Sequence, residues 1–201
     1  TQVFSINVEP DVCNHPPMIL SEPAATFVLS GQQAKPQPFD LSTWQVQHFP
    51  IGGREANWEF DQKGHVATQT RNSDQSILVS DLDLSDGPLE ATFQVDSKTD
   101  DDLIGFVFGY QDPQHFYLVD WKKGSQGDRQ PGMNVYAVDA TSALTVDDFA
   151  SSTGNGDRVR RLFHNDIPWQ QGIEYHLQLE VHPGQFDITI SEGTSVIESI
   201  T

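Results

Sequence analysis

Leu103-Ile-Gly-Phe-Val-Phe-Gly-Tyr110 is an almost uninterrupted apolar run, followed by the turn Gln111-Asp-Pro-Gln114 and a second apolar run, His115-Phe-Tyr-Leu-Val-Asp-Trp121. A strand that is apolar at nearly every position offers no face to water, so this one is expected at the centre of a sheet, buried on both sides. The Asp-Pro turn makes the pair an antiparallel hairpin. If Tyr110 opposes His115, then Gly105 faces Asp120 and Asp102 faces Lys123. The preceding run, Leu89–Asp96, is expected beside the central strand, antiparallel to it through Ser97-Lys-Thr-Asp100.

Outward from this hairpin the chain keeps one texture. Short runs at Trp44–Phe49, Trp58–Phe60, His65–Thr70, Ser76–Leu84, Met133–Asp139, Tyr175–Val181 and Phe186–Ser191 are separated by Gly, Asp and Asn turns. Strands broken by a turn every ten or so residues predict an all-β sandwich or jelly roll. No segment keeps a helical period over three turns, so helix is limited to a turn near Val146–Ala150. Residues 1–38 differ: six of the twelve prolines fall there, and they read as an extended N-terminal arm or the stub of a preceding module. The sandwich domain is expected over 39–201.

The chain has 201 residues and a formal charge of −18, with 11 Lys+Arg against 29 Asp+Glu. That balance excludes nucleic acid and anionic membrane surfaces as partners, since both require a basic face. No apolar stretch is long enough to span a membrane, and the sequence opens at Thr1 without a charged-then-apolar signal segment, as expected of a mature or excised piece. A lone cysteine, Cys13, excludes an internal disulfide and leaves the compartment open. The acids are skewed, 20 Asp to 9 Glu, and short Asp is the acid of turns and calcium loops.

The hairpin register brings Asp96, Asp100, Asp101, Asp102 and Asp128 to one end of neighbouring strands. Like charges on one rim repel, and a hard divalent cation taking six to eight oxygens relieves them, so calcium is expected there. Asp120, further along its strand at about 3.3 Å per residue, suits a second ion or a hydrogen-bonded buried acid. Asp81-Leu-Asp-Leu-Ser-Asp-Gly87 fails as an EF-hand loop, because its acids fall at positions 1, 3 and 6 and Thr92 stands at position 12. The seven histidines lack zinc spacing, and His164-Asn-Asp166 is read as a loop hydrogen bond. No nucleophile motif appears. Arg158-Val-Arg-Arg161 is read as neutralising acid on the same molecule. Trp44, Trp58 and Trp169 are the candidates for stacking on sugar rings.

Asp100-Asp-Asp-Leu-Ile-Gly-Phe-Val-Phe-Gly-Tyr-Gln111, His115-Phe-Tyr-Leu-Val-Asp-Trp-Lys122, and Val159-Arg-Arg-Leu-Phe-His-Asn165 with Trp169 together resemble the C-terminal domain of thrombospondins. The match runs in order from about Phe39 to Ser191. It implies an L-type-lectin-like β-sandwich that binds calcium near Asp100–Asp102, lacks enzymatic activity and serves extracellular adhesion. Two departures stand out. Val119-Asp120 replaces the Val-Met of the family's proposed receptor-contact stretch, so that receptor function is not transferred. The calcium-binding repeats that precede the domain in thrombospondins are replaced by the arm, whose Asn14–Pro23 is similar to the opening of bacterial Ig-like or cadherin-like modules and points to a microbial relative. The family domain also continues beyond the region resembling Phe186–Ser191, so the sheet is expected to be completed by the arm, by a further C-terminal segment, or by a strand from another subunit.

The expectation is therefore a secreted or cell-surface, calcium-binding adhesion or assembly module without catalysis. Its partners would be other subunits, cell-surface or matrix components, or polysaccharide, and strand addition would make homo-oligomers. A carbohydrate-binding module and a glycan-active jelly-roll enzyme are the alternatives.

Overall fold

A computed structural model of the chain describes residues 18–21, 25–31, 37–48, 54–71, 73–80, 89–97 and 103–201. The strands begin with β1 (Met18–Ser21), β2 (Ala25–Gly31), β3 (Gln37–Pro38), β4 (Gln45–His48), β5 (Trp58–Phe60), β6 (Ala67–Gln69) and β7 (Ser76–Val79). They continue with β8 (Leu89–Val95), β9 (Leu103–Asp112), β10 (His115–Lys122), β11 (Gly132–Asp139) and β12 (Gly154–Asn155). The last four are β13 (Val159–His164), β14 (Glu174–His182), β15 (Gln185–Glu192) and β16 (Ser195–Ile200). Two short 3-10 turns, Leu41–Thr43 and Val146–Phe149, complete the described elements.

The strands form two antiparallel sheets. The first runs β12-β13-β11-β10-β9-β1-β7-β4, and the second β16-β15-β14-β8-β2-β6-β5 with β3 on β2. The second sheet is buried on one face only. Leu89, Ala91, Phe93 and Val95 of β8 point inward with Tyr175, Leu177 and Leu179 of β14 and Phe186, Ile188 and Ile190 of β15. They meet Ile104, Phe106, Phe108, Val119, Trp121, Met133 and Val135 from the first sheet. Phe108 stands edge-on to Phe186 at 4.7 Å between ring centres, and Trp121 lies 4.6 Å from Tyr175.

The centre of the first sheet is buried on both faces, as its sequence demanded: every residue from Leu103 to Tyr110 is buried. Its second face is covered by the 140–158 segment, where Ala140, Leu144 and Phe149 pack on Val107, Phe116, Leu118, Tyr136 and Val138. Asp148 stitches that cover together. It accepts from Arg158 Nε (2.8 Å), Asn155 Nδ2 (2.8 Å) and Thr145 N (2.7 Å). The Arg158 guanidinium holds its carboxyl well below the usual carboxylate range, against the opposing push of burial.

Two sequence expectations are corrected here. Leu89–Val95 does not flank the central strand; β8 lies in the opposite sheet between β2 and β14, and the neighbours of β9 are β10 and β1. The connection from β8 to β9 thus passes from one sheet to the other, which a sandwich allows and a simple meander does not. The hairpin also carries a bulge: Gly105 does face Asp120, but His115 pairs with Asp112 rather than Tyr110. The arm contributes structure as well. Residues Met18–Ser21 pair with β7 on one side and β9 on the other, and Ala25–Gly31 pair with β8 and β6.

Candidate functional site

The end of the sandwich where β9 begins collects three connections. Leu103 pairs with Lys122 and Lys122 with Gly132, so the chain entering β9 and the loop between β10 and β11 arrive at the same end. The 165–172 segment joins them. Asn165 N donates to the Met133 carbonyl (3.0 Å), the Trp121 indole to the Ile167 carbonyl (2.5 Å), and Gly172 N to the Val95 carbonyl (2.8 Å). Gly132 is fixed by this crossing: its φ is +117°, and a Cβ there would overlap the Asn165 carbonyl.

Asp96 and Asp128 are both exposed at this end. The Asp96 carboxylate accepts from Gln94 Nε2 (2.5 Å), and its carbonyl from Gln171 Nε2 (3.3 Å). Asp128 bridges to Ser151, whose neighbour Ser152 donates its amide to the Asp128 carbonyl (3.4 Å). Asp100, Asp101 and Asp102 lie outside the described residues, as does the Asp81–Gly87 stretch. Asp166, not among the expected acids, adds a carboxylate 94% exposed.

Behind that rim runs a buried polar row. Asp120, Asn134 and His164 oppose one another across β10, β11 and β13. Asp120 is 0% exposed. One oxygen accepts from Arg129 Nη2 and the other from Asn134 Nδ2 (3.0 Å). Asn134 Oδ1 in turn meets His164 Nδ1 (2.9 Å), and His164 Nε2 meets Asp166 Oδ1 (3.0 Å). The result is one chain of hydrogen bonds from a fully buried ion pair to a solvent-facing acid. Arg129 also donates Nη1 to the Phe149 carbonyl (2.9 Å), which ties the 123–131 loop to the cover of the second face. Tyr136, beside this pair, donates to the Ser152 carbonyl (3.0 Å); burial, reinforced by the Asp120 charge, pushes its phenol far up.

The three tryptophans put forward as stacking platforms all pack on the core between the sheets. Trp169 is 2% exposed, with Lys123 Nζ 5.2 Å above its ring. Trp58 donates its indole N–H to Ser76 Oγ (3.1 Å). A more open surface lies elsewhere, at the opposite end of the first sheet. There a cleft of about 450 Å3 is lined by Tyr117, His115, Gln111, Asp139, Asp157 and Arg160 among others. His115 is clamped across its mouth, with Nδ1 2.8 Å from both Asp112 oxygens and Nε2 3.4 Å from Asp139 Oδ1. Burial pushes Asp112 up, yet the Gln114 amide and His115 together hold it below the ordinary carboxylate value.

Sequence reasoning missed Arg129, Asn134 and the cleft. The available signal was Asp120 itself, since an acid inside an otherwise apolar strand implies a buried cationic or amide partner. Arg129, nine residues away in a polar loop, carries no mark of its own.

Two antiparallel sheets packed face to face, with a central strand buried on both sides, define a lectin-like jelly roll. The profile of the thrombospondin C-terminal region matches residues 53–172, and the chain belongs to that family. Thrombospondin-4-B of Danio rerio is 31% identical over 71% of this chain and 17% of its own length. Thrombospondin-2 of Bos taurus is 31% identical over 79% of this chain and 15% of its own. Cartilage oligomeric matrix protein of Homo sapiens is 37% identical over 71% and 21%. The chain thus spans only about a sixth to a fifth of the length of these curated relatives.

Proposed function

We propose that this chain is a calcium-stabilised, non-enzymatic module for extracellular adhesion or assembly, acting through contacts with other protein subunits or matrix components. The observation that carries the reading is the convergence of three connections at the β9 end of the sandwich, within the family match and rich in Asp. Asp96 and Asp128 are exposed there, and Asp100, Asp101 and Asp102 immediately precede Leu103. These five acids are the proposed calcium ligands. Asp120 is not needed among them, because Arg129 and Asn134 occupy both of its oxygens.

Chelation tests it. A ligand that binds only the native state stabilises it by about 2.7 kcal/mol at a hundredfold excess over Kd, which for a domain of this size is a rise in Tm of about 5–10 °C. EDTA is expected to remove that rise at constant ionic strength, and Asp100→Asn with Asp101→Asn and Asp102→Asn to abolish the response to calcium. An unchanged Tm on chelation would sink the calcium site.

The cleft around His115 favours one second reading, a polysaccharide-binding module. Its volume lies within the roughly 300–1,000 Å3 of small-molecule sites, and a partly exposed tyrosine ring flanked by carboxylates and Arg160 suits a polyol with one apolar face. A glycan array that stays blank with the parent protein and with Tyr117→Ala alike removes this reading.

A further inference from the structure

We propose that Glu180, His182 and Asp187 form a binding site for a divalent transition metal ion of the zinc class, on the outer face of the second sheet. Glu180 and His182 are two residues apart on β14 and therefore share a face, and Asp187 on β15 stands directly opposite Glu180. Two carboxylates opposed on neighbouring strands repel, so the pair calls for a cation between them. Residues 162–201 contain neither Lys nor Arg, which leaves this hairpin without a permanent cation of its own.

The spacing suits a metal ion. His182 Nε2 lies 3.3 Å from Asp187 Oδ2 and 3.5 Å from Glu180 Oε2. These distances match the roughly 3.3–3.4 Å between two donors that each sit about 2.0–2.1 Å from a tetrahedral zinc ion. Calcium takes oxygen donors at about 2.3–2.6 Å, and an imidazole is foreign to its shell.

The far oxygen of each carboxylate is already held. Gln178 Nε2 donates to Glu180 Oε1 (3.4 Å) and Gln185 Nε2 to Asp187 Oδ1 (3.3 Å), so Oε2 and Oδ2 are the atoms left facing the imidazole. Supporting bonds of this kind orient metal ligands and raise affinity. All three donor atoms lie within 4.8 Å of one another, and the half-exposed face leaves room for water to complete the coordination.

The test is a calorimetric titration of the full chain with zinc chloride, at pH 7.5 and in excess calcium so that any calcium site is already filled. One equivalent is expected to bind at Glu180, His182 and Asp187. His182→Ala is expected to abolish that binding and Asp187→Asn to weaken it at least tenfold, both with unchanged circular dichroism. Copper(II) in place of zinc should show one nitrogen coupling in its paramagnetic resonance spectrum, lost in His182→Ala. No binding by the parent chain would overturn the proposal, and so would zinc binding that persists unaltered in His182→Ala. Because calcium is present throughout, failure here leaves the calcium reading untouched, and failure on chelation leaves this one.

Discussion

Arg129 and Asn134 hold both oxygens of the fully buried Asp120 carboxylate. Removing one member of a buried ion pair leaves the other uncompensated, at a cost of about 3–5 kcal/mol. Asp120→Asn is therefore expected to lower Tm by about 10 °C or more in a thermal melt. The double variant Asp120→Leu, Arg129→Met should recover most of that loss, since apolar replacements of similar volume need no partner. A single variant that melts like the parent would show that the pair stabilises nothing. The neighbouring position is equally constrained by contact rather than charge: a Cβ at Gly105 would overlap the Val119 carbonyl, so this glycine lets β10 approach β9.

At the level of elements, what the sequence shows depends on whether burial is one-sided or two-sided. β9 and β10 are legible because their apolar runs are continuous, and Gly105 faces Asp120 as expected only because the bulge between His115 and Tyr117 offsets a turn shorter than the sequence suggested. β13 is hidden because its strand residues include Arg160 and Arg161, exposed or half-buried at the sheet's margin. β16 is hidden by Ser195, Glu198 and Ser199, which break the apolar pattern. The partner of β8 was unreadable for a different reason: sequence order does not say which sheet of a sandwich the next strand joins. β1 carries the strongest element-level prediction. It pairs through four residues with β7 and through four with β9, so deleting residues 1–21 removes the middle of the first sheet and strands β7 and β4 on the far side. The shortened protein is expected either to melt at least about 10 °C lower or to dimerise by borrowing the missing strand. Light scattering and a melt together decide it: a monomer of unaltered stability would mean that the arm is dispensable.

Across the whole molecule the charge is unevenly placed. All eleven Lys and Arg precede residue 162, and the remaining 40 residues hold six acids with only histidine as a possible counter-charge. A net charge of −18 opposes compaction through self-repulsion. Bound divalent ions act on this directly, each offsetting two units at a fixed place, whereas added salt only screens at about the Debye length. That contrast is why constant ionic strength matters when the protein is chelated. The acids were visible in the sequence from the start; their division into a rim, a buried row and a face on the second sheet needed the register of every strand.

The position of β1 also says how the domain would respond to being pulled. A tether entering from the N-terminal side attaches to an interior strand of the first sheet, with a hydrogen-bonded neighbour on each side, and not to an edge. Tension on that tether must break two ladders together before any length is released. A terminal edge strand such as β16, with a single ladder to β15 among the described residues, would peel off one pair at a time. The anchorage therefore makes β1 harder to extract than an edge strand with a single ladder.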